Sequence, residues 1–437
     1  MKSSIVVVLA LSSVIVVIGI ISSLVLTRPW DKEIIFDFLF VNDVHLDIKY
    51  VPNGLPQHPY YCQDPEFLHE NSTHEYGQYN CDTPNATFMS MLEVVPRFCK
   101  DPKFIIFGGD APAHGLGLNE EEHKALVENV VNQIGNIYPN IPLFFSLGNN
   151  DFFKNYGSFE TDSTDFKKIS TFTRLALKGE QLDTFLKGGY YYYDYIEGNL
   201  RIIVLNTVAY STVRAEINDT DPHGQFSWLR KTIIDAQNKD LQILITMHIP
   251  PGYSDVKASQ GWHTKYIDIF DKIVKEYKIE NLLVGHSHYD LFMPIFGETG
   301  QSKGYTLSSP SISPSHNNNP AFRVYTVSSK RGLIDYAQYY GDILMNPKHN
   351  ELKWDLEYRF SEAYGMPDLG NESIRKAARW VIETSRGKWS YKAKMTALAM
   401  DNWAYYYCML KATTTEQANL CKLNLDDIRL PITPYDE

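Results

Sequence analysis

Residues 104–114 have the sequence F-I-I-F-G-G-D-A-P-A-H, in which a short apolar run leads into a glycine-rich turn that carries an aspartate and a histidine. Four apolar residues followed by two glycines are typical of a buried strand that ends in a tight loop. They predict one of the central strands of the core. Similar apolar runs recur along the chain, at residues 34–41, 143–147, 202–205, 243–247 and 282–284.

Segments with a helical period lie between these runs. Asn119, with Glu122 three residues later, predicts a capped helix start, and apolar residues then recur at positions 126, 130 and 134. The alternation of strands and helices favours an α/β layered fold. Further patterns predict helices at 226–236 and 266–277, shorter strands at 322–327 and 333–340, and a helical tail from about residue 371.

The tyrosine-rich run at residues 190–195 has two interpretations. It holds five tyrosines in six positions and leads towards Gly198. A hairpin strand that ends in a turn at this glycine is the favoured interpretation, because tyrosine is enriched in strands. The alternative is an aromatic surface that stacks on a nucleobase or binds choline through cation–π contacts.

The overall composition excludes disorder and argues against a nucleic-acid partner. The chain has 437 residues, of which 44% are hydrophobic, and its 41 Lys+Arg against 52 Asp+Glu give a formal net charge of −11. This length and apolar content suffice for a large core, whereas the acidic balance repels polyanions. We expect a monomer that does not bind nucleic acid.

Residues 5–26 form the longest apolar segment, with 22 consecutive residues that carry no charge. As a helix this segment would be about 33 Å long, which matches the hydrocarbon thickness of a bilayer. We therefore predict a transmembrane anchor within residues 1–30, with a signal peptide cleaved near Ser22 and Ser23 as the alternative. Both predict the secretory pathway and a lumenal or extracellular location, either membrane-anchored or secreted. Four N-glycosylation sequons favour the same compartment, at Asn71, Asn85, Asn218 and Asn371.

The five cysteines agree with an oxidising compartment. Cys62 and Cys81 flank a polar loop. Cys408 and Cys421 flank a short helical connection. Two disulfides are therefore expected. The fifth cysteine, Cys99, follows apolar residues of a helical pattern and is predicted to be a buried thiol.

Five polar motifs directly follow predicted strands, and their candidate metal ligands are aspartate, asparagine and histidine. The carboxyl ends of strands are where open α/β sheets place their ligands. Oxygen and imidazole ligands suit zinc, manganese or iron. The candidates are Asp43 and His45 (V-N-D-V-H), Asp110 (G-G-D), Asn149 (G-N-N-D), His248 (M-H-I-P-P-G), and His286 and His288 (G-H-S-H).

Seven side chains supply two four-ligand sites only if one carboxylate is shared, and Asp110 is the natural bridge. Two divalent metals held about 3.5–4 Å apart by a shared carboxylate could also share a hydroxide of lowered pKa, and this hydroxide attacks phosphorus. The pattern thus predicts hydrolysis of phosphate esters with two divalent metal ions. The proposed ligand sets are Asp43, His45, Asp110 and His288 for one metal, and Asp110, Asn149, His248 and His286 for the other.

With these motifs the chain resembles the calcineurin-like metallophosphoesterase superfamily and, within it, the acid sphingomyelinase-like phosphodiesterases. The resemblance includes G-D-A-P-A-H at 109–114, G-H-S-H-Y-D at 285–290 and E-A-Y-G-M-P-D-L at 362–369. It implies a layered β-sandwich flanked by helices, with a catalytic domain at residues 31–345 and a mostly helical C-terminal domain at residues 346–437. It also implies the same seven ligands with zinc as the metal, and it supports a disulfide between Cys408 and Cys421.

The resemblance gives roles to two further residues. His114, four residues after Asp110, matches the family histidine that protonates the leaving group. Asn150 stands where the family usually has a histidine that contacts the substrate phosphate, and an amide can donate a hydrogen bond but cannot pass a proton. The resulting G-N-N-D motif is also similar to that of the endopolyphosphatases.

We therefore expect a metal-dependent phosphodiesterase that hydrolyses phosphodiester or phosphoanhydride bonds in small molecules or phospholipids, such as sphingomyelin, CDP-choline or nucleotides. Two alternatives stay open at this point. One is an endopolyphosphatase, against which the H-I-P-P-G motif and the net charge argue. The other is a catalytically weak surface protein that binds phosphorylated lipids, against which the complete set of seven ligands argues.

Overall fold

The computed structural model describes residues 32–394, apart from 58–59, 67–73, 158–161, 216–217, 253–259, 298–299 and 344–350, together with 407–408, 410–412, 414, 417 and 420–421. The predicted anchor or signal segment, residues 1–30, and the sequon at Asn71 lie outside these residues. Within the described part of the chain, no helix has the length and apolar character needed to cross a membrane.

Strands and helices alternate over most of the described chain. The strands are β1 (Ile35–Val41), β2 (Leu46–Asp47), β3 (Thr83–Pro84), β4 (Ile105–Phe107), β5 (Leu143–Phe145), β6 (Tyr191–Tyr195), β7 (Leu200–Leu205), β8 (Gln242–Met247), β9 (Asn281–Val284), β10 (Leu291–Gly297), β11 (Gly300–Ser308), β12 (Ala321–Ser328), β13 (Gly332–Gly341) and β14 (Trp354–Arg359). The helices are α1 (Asn85–Phe98), α2 (Glu120–Asn136), α3 (Asp162–Ile169), α4 (Glu180–Gly188), α5 (Gln225–Asn238), α6 (Thr264–Tyr277), α7 (Phe360–Tyr364), α8 (Asn371–Glu383) and α9 (Ser385–Lys394).

Two six-stranded sheets form the core of the described chain. The first has the order β14–β13–β12–β1–β4–β5, and the second has the order β10–β11–β9–β8–β7–β6. Three neighbouring strands run parallel in the first sheet, β1, β4 and β5, and four run parallel in the second, β7, β8, β9 and β11. Their carboxyl ends therefore lie together at one edge of each sheet, where the candidate residues follow.

Aromatic side chains fill the core and join the two sheets. Phe38 of β1 lies between Phe104 and Tyr325, with ring centroids 4.7 and 5.2 Å away. The Tyr191 hydroxyl of β6 accepts a hydrogen bond at 2.8 Å from the amide of Phe145 in β5. All five side chains are buried, and each buried aromatic of this kind stabilises the fold by about 1.5–3 kcal/mol. The expected α/β fold, a layered β-sandwich flanked by helices, is confirmed.

The local sequence patterns also form the elements they predict. Each of the six central strands is present, with ends that differ from the predicted ones by at most two residues. The Asn119 side chain accepts from the Glu122 amide at 3.0 Å, and the Glu122 carboxylate accepts from the Asn119 amide at 3.0 Å. The tyrosine run forms β6, so its strand interpretation is confirmed. The guanidinium of Arg201 lies 4.1 Å from the centroid of the Tyr192 ring, so the cation over this face comes from the chain itself.

The first sheet extends into the predicted C-terminal domain. β14 begins at Trp354 and pairs antiparallel with β13, where Ala337 lies opposite Arg359. The region after residue 345 therefore contributes a sheet strand as well as α7, α8 and α9. The domain boundary at this residue stays a prediction.

Candidate active site

The loops that follow β1, β4, β5, β8 and β9 carry the candidate residues, and several of these residues have a strained backbone. A left-handed backbone costs a non-glycine residue about 1–2 kcal/mol and persists only where its surroundings fix it. Hydrogen bonds between loops fix it here, because the Asp43 amide donates to Gly109 O at 2.9 Å and the His45 amide donates to Asp110 O at 3.0 Å. Positive φ angles, between 43° and 67°, occur at Asp43, His45, Asp110, His286 and His288.

Three predicted ligands form a first cluster. The ligand atoms of Asp43, His45 and His288 lie within 4.8 Å of one another. The Nε2 atoms of His288 and His45 are 3.6 and 4.0 Å from Asp43 Oδ1. All three side chains are buried, so their polar atoms need partners within this cluster.

A second cluster meets the first at Asp110. The ligand atoms of Asp110, His248 and His286 also lie within 4.8 Å of one another. Asp110 Oδ2 is 3.3 Å from His248 Nε2 and 3.4 Å from His45 Nε2. The residue that we predicted to bridge two metals is thus the one whose carboxylate contacts both clusters.

The imidazole rings are oriented by backbone carbonyl groups. His45 Nδ1 donates to Pro112 O at 3.1 Å, and His248 Nδ1 donates to Gly108 O at 2.7 Å. Because a carbonyl oxygen can only accept, Nδ1 carries the proton in both rings. In the neutral form of each ring the lone pair then lies on Nε2, which is the arrangement found when a second-shell group orients a metal-binding histidine.

The donor set fits a divalent metal centre. Three buried atoms of the candidate ligands have no hydrogen-bond partner, namely His45 Nε2, His248 Nε2 and Asn149 Oδ1. The Asn149 amide is oriented by its Nδ2, which donates to Asn155 Oδ1 at 3.0 Å. A buried lone pair without a partner is costly, and divalent cations at the two clusters would satisfy these atoms with the nitrogen and oxygen ligands that zinc accepts.

Burial and charge set the protonation of these residues. Burial lowers the pKa of His45 to about 4 and that of His286 to about 3. Both rings are therefore neutral near pH 7, as a metal ligand must be. Burial alone would lower the pKa of His248, but the Asp110 carboxylate raises it to about 10. A proton and a metal ion compete for this Nε2 atom.

His114, the predicted general acid, pairs with Asp82, a residue that the sequence analysis missed. Its Nδ1 donates to Asp82 Oδ2 at 2.9 Å, and its amide donates to the same oxygen at 2.7 Å. Ser313 Oγ donates to Asp82 Oδ1 at 3.1 Å. Burial alone would lower the pKa of His114, but the Asp82 carboxylate, together with Asp110 and Asp43, raises it. The His114 ring stacks on His45 at 4.6 Å, which places this pair directly beside the first cluster.

Asn150, the residue that departs from the family pattern, holds the shared carboxylate. Its amide donates to Asp110 Oδ1 and its Nδ2 donates to Asp110 Oδ2, both at 2.8 Å. Gly148 permits this approach, because a Cβ atom there would lie only 2.2 Å from Asp110 Oδ1. Asp151 accepts from the amides of Asp110 and Ala111, both at 2.9 Å, and so ties the two loops together.

An aromatic pair borders the site on the side of His114, and the sequence analysis did not assign it. The Tyr60 ring stacks on His316 at 4.7 Å and lies 5.3 Å from His114. The His316 ring is 4.2 Å from that of His288. Tyr60 and His316 are both half-buried residues beside the clusters.

The structure contains both expected disulfides, Cys62–Cys81 and Cys408–Cys421, and Cys99 is a buried free thiol. The Cys62–Cys81 bond joins the two segments that carry Tyr60 and Asp82, and the Asp82 amide donates to Tyr60 O at 2.7 Å. Two disulfides agree with a secreted or lumenal protein.

The three sequons within the described residues differ in exposure. Asn85 and Asn218 are exposed, as glycan attachment requires. Asn371 is half-buried, and its side chain accepts from the Tyr305 amide at 3.2 Å and donates to Ile279 O at 3.2 Å. Glycosylation at all four sequons stays a prediction.

Comparisons with known proteins agree with this geometry. Residues 36–290 match the calcineurin-like phosphoesterase family, and residues 306–394 match the acid sphingomyelin phosphodiesterase C-terminal region. Sphingomyelinase phosphodiesterase C from Dictyostelium discoideum is 29% identical over 83% of this chain and 85% of its own length. Cyclic GMP-AMP phosphodiesterase SMPDL3A from Bos taurus is 29% identical over 80% of each chain. Human acid sphingomyelinase-like phosphodiesterase 3b is 27% identical over 77% of this chain and 78% of its own length.

The phosphoesterase match covers the seven candidate ligands, from Asp43 to His288, and strands of both sheets. The C-terminal match begins within β11 and ends with α9. The chain therefore belongs to the calcineurin-like phosphoesterase family and is a metal-dependent phosphodiesterase with the C-terminal region of the acid sphingomyelin phosphodiesterases.

Proposed function

We propose that the protein is an exported phosphodiesterase that uses two divalent metal ions, with zinc as the favoured metal, to hydrolyse phosphodiester or phosphoanhydride bonds of the sphingomyelin, CDP-choline or nucleotide type. The observation that carries this proposal is the meeting of both ligand clusters at Asp110, directly beside the His114–Asp82 pair. A core that needed only stability would not keep lone pairs without partners at this point.

The proposed ligand sets are those of the sequence analysis. Bound there, two divalent ions would lower the pKa of a water molecule and offset the negative charge that develops on the phosphate oxygens. The chain itself orients the ligands, since carbonyl groups fix the His45 and His248 rings and Asn150 fixes the Asp110 carboxylate. One metal would take Asp43, His45, Asp110 and His288, and the other would take Asp110, Asn149, His248 and His286.

His114 is the proposed general acid. Its Nδ1 is held by Asp82, so that Nε2 is the nitrogen that can deliver a proton to the leaving group. The carboxylate also raises the pKa of His114, which keeps a proton on the ring at mildly acidic pH. Asp82 acts through His114 as a positioning residue.

The substrate class rests on the relatives and on the aromatic pair. The named activities of the relatives concern sphingomyelin and a cyclic dinucleotide, which share a phosphodiester beside a cationic or aromatic group. Tyr60 and His316 are half-buried aromatic residues next to His114, and aromatic rings attract choline by cation–π contact or stack on a base. We place this part of the substrate against Tyr60.

Export follows from the disulfides and the exposed sequons, whereas the anchor at residues 1–30 rests on its apolar sequence alone. The 22 uncharged residues of this segment are long enough to span a bilayer. The mass of the mature protein purified from a secretory cell distinguishes a retained anchor from a cleaved signal peptide.

A turnover assay with several substrates tests the proposed function. The purified protein is incubated with zinc and with sphingomyelin in detergent, CDP-choline, ATP, a cyclic dinucleotide or long-chain polyphosphate. We expect release of phosphocholine or nucleotide products from at least one of the first four. Cleavage of polyphosphate alone would replace the proposal with an endopolyphosphatase. No turnover of any substrate by zinc-loaded protein would favour a surface protein that only binds phosphorylated lipids.

Two histidine variants show whether turnover depends on the proposed centre. His286→Ala removes one ligand and should abolish turnover without unfolding the protein. His223→Ala is the matched control, because it also removes an imidazole but not a candidate ligand. The His223 ring pairs with Asp162 at 3.5 Å and contacts Phe166 at 5.8 Å, and both of these residues belong to α3. Full activity of the His286 variant would contradict the ligand assignment.

A further inference from the structure

Helix α9 concentrates positive charge in an acidic protein. Residues 371–394 carry seven of the 41 basic residues of the chain but only two of its 52 acidic residues. The two acidic residues, Glu372 and Glu383, lie in α8, where they pair with arginines or lysines of the same helix. Helix α9 itself has four basic residues and no acidic residue. Its charge is therefore not offset within the helix.

One face of α9 is anchored in the core. Gly387 and Tyr391 are its buried residues. The Tyr391 ring contacts Phe292 with centroids 5.3 Å apart, and its hydroxyl lies 4.0 Å from Met293 Sδ. Phe292 belongs to β10 and follows the candidate ligand His288 by four residues. The helix is thus fixed to the strand that continues from the metal-binding loop.

The opposite face of α9 presents a tryptophan among basic residues. Trp389 lies midway between the two buried positions, which places it about 180° around the helix from them. Its side chain is 54% exposed, although an indole of this size is normally removed from water. Lys392 Nζ lies 5.1 Å from the centroid of the indole ring, Arg386 is exposed, and Lys388 is half-buried.

This combination fits the surface of an anionic membrane. Lysine and arginine side chains are attracted to anionic headgroups by about 1 kcal/mol for each charge near the surface. Tryptophan favours the boundary between headgroups and acyl chains, where its apolar body leaves water while its N–H stays hydrated. A soluble polyanion would offer the charge but no such boundary, so the exposed indole favours a lipid surface.

We propose that α9 docks on anionic phospholipid through Trp389, Arg386, Lys388 and Lys392. Tyr391 fixes α9 to β10, and β10 directly follows the loop that carries the candidate ligands His286 and His288. Docking of α9 would therefore hold this loop at a constant position relative to the membrane. The inference is independent of the substrate class, because it concerns binding to lipid headgroups and not turnover.

Vesicle binding of the full chain tests the proposal. Binding is measured with vesicles of phosphatidylcholine alone and with vesicles that also contain phosphatidylserine. The apolar segment 5–26 and its flanking residues are the same in every variant, so a change in the ratio of the two affinities between variants reports on the charge of α9. We expect a ratio of about tenfold or more for the natural protein, and an R386Q/K388Q/K392Q variant should bring it close to one. Trp389→Ala should weaken binding to both kinds of vesicle.

A matched control neutralises three lysines near β6, which lies at the opposite edge of the second sheet from β10. Lys167, Lys178 and Lys187 are exposed, and α4, which contains Lys187, bonds to β6 through Gln181 Nε2 and Tyr192 O at 3.0 Å. The K167Q/K178Q/K187Q variant should keep the full preference for phosphatidylserine. If both triple variants lost the preference for phosphatidylserine to the same extent, binding would depend on overall charge and the proposal would be overturned. Binding of soluble polyphosphate without a preference for anionic vesicles would also overturn it.

Discussion

The Asp82 carboxylate determines the orientation of the His114 ring through the hydrogen bond of 2.9 Å from His114 Nδ1. A general acid must present its proton at a fixed place, and a ring that is free to turn loses part of that advantage. Asp82 is completely buried, which makes its charge effective at short range. This contact therefore distinguishes His114 from an ordinary loop histidine.

Asp82→Asn should reduce kcat by about tenfold to a hundredfold, which is less than the loss from His114→Ala, since general acids contribute about 10²–10⁴-fold. The loss should be largest for substrates with a poor leaving group and small for nitrophenyl esters, which need little protonation. Steady-state kinetics with both leaving groups measure this difference. Ser313→Ala, which removes the bond to the other carboxylate oxygen, is the milder control. Equal losses for both leaving groups would show that Asp82 does not act through His114.

Asn150→Ala should weaken metal binding by about 10–100-fold, because it removes the hydrogen bond from Nδ2 to Asp110 Oδ2. Asn150→His replaces this amide with the imidazole usual in the family and should change the ratio of kcat/KM between substrates. Chelator competition measures the first effect, and parallel assays with sphingomyelin and CDP-choline measure the second. Unchanged metal affinity in the alanine variant would mean that the backbone amide alone holds Asp110.

At the scale of secondary structure, strand β12 is joined by a buried ion pair to the loop that carries the candidate ligands His286 and His288. Arg323 forms an ion pair with Asp290, which follows His288 by two residues, and both side chains are buried. The same guanidinium donates to Ser308 O at 2.9 Å and to Gln338 Oε1 at 2.8 Å. These bonds satisfy the charge in the core, and they connect β10, β11, β12 and β13 at one point.

Arg323→Met should lower the free energy of unfolding by about 3–5 kcal/mol, because it leaves the Asp290 carboxylate buried without its partner. Combining it with Asp290→Asn should recover part of the lost free energy of unfolding, because the double variant no longer buries an unpaired carboxylate. Denaturant unfolding of the single and double variants measures both values. Arg230→Met, which breaks an exposed pair with Glu276, is the control and should cost less than about 1 kcal/mol. A loss no larger than that of the control would contradict the role of the buried pair.

The same scale explains which parts of the site could be predicted. The seven candidate ligands could be selected because each follows a run of apolar residues, and parallel strands bring their carboxyl ends together. Asp82, Tyr60 and His316 could not be found in this way, since they lie on loops without a periodic pattern. The Cys62–Cys81 disulfide and the turn after β11 bring them to the site, and a single sequence does not reveal contacts of such loops.

At the scale of the whole molecule, the candidate metal centre lies where the two sheets meet. β1, β4 and β5 of the first sheet lead to Asp43, Asp110 and Asn149, whereas β8 and β9 of the second lead to His248 and His286. Ligands from both sheets converge on Asp110. A bound metal would therefore add a connection between the two sheets, beside the aromatic packing and the Arg323 contacts that already join them.

Removal of metal should consequently lower the thermal stability of the whole protein. A ligand present at a hundredfold excess over its dissociation constant stabilises the native state by about 2.7 kcal/mol for each site. We expect the melting temperature to fall by roughly 5 °C or more after treatment with a chelator, and to recover when zinc is added. Differential scanning calorimetry measures the shift, and Asp110→Ala should respond little to chelator because it lacks the shared carboxylate. Identical melting curves for the natural protein with and without chelator would mean that the two clusters do not hold the sheets together through metal.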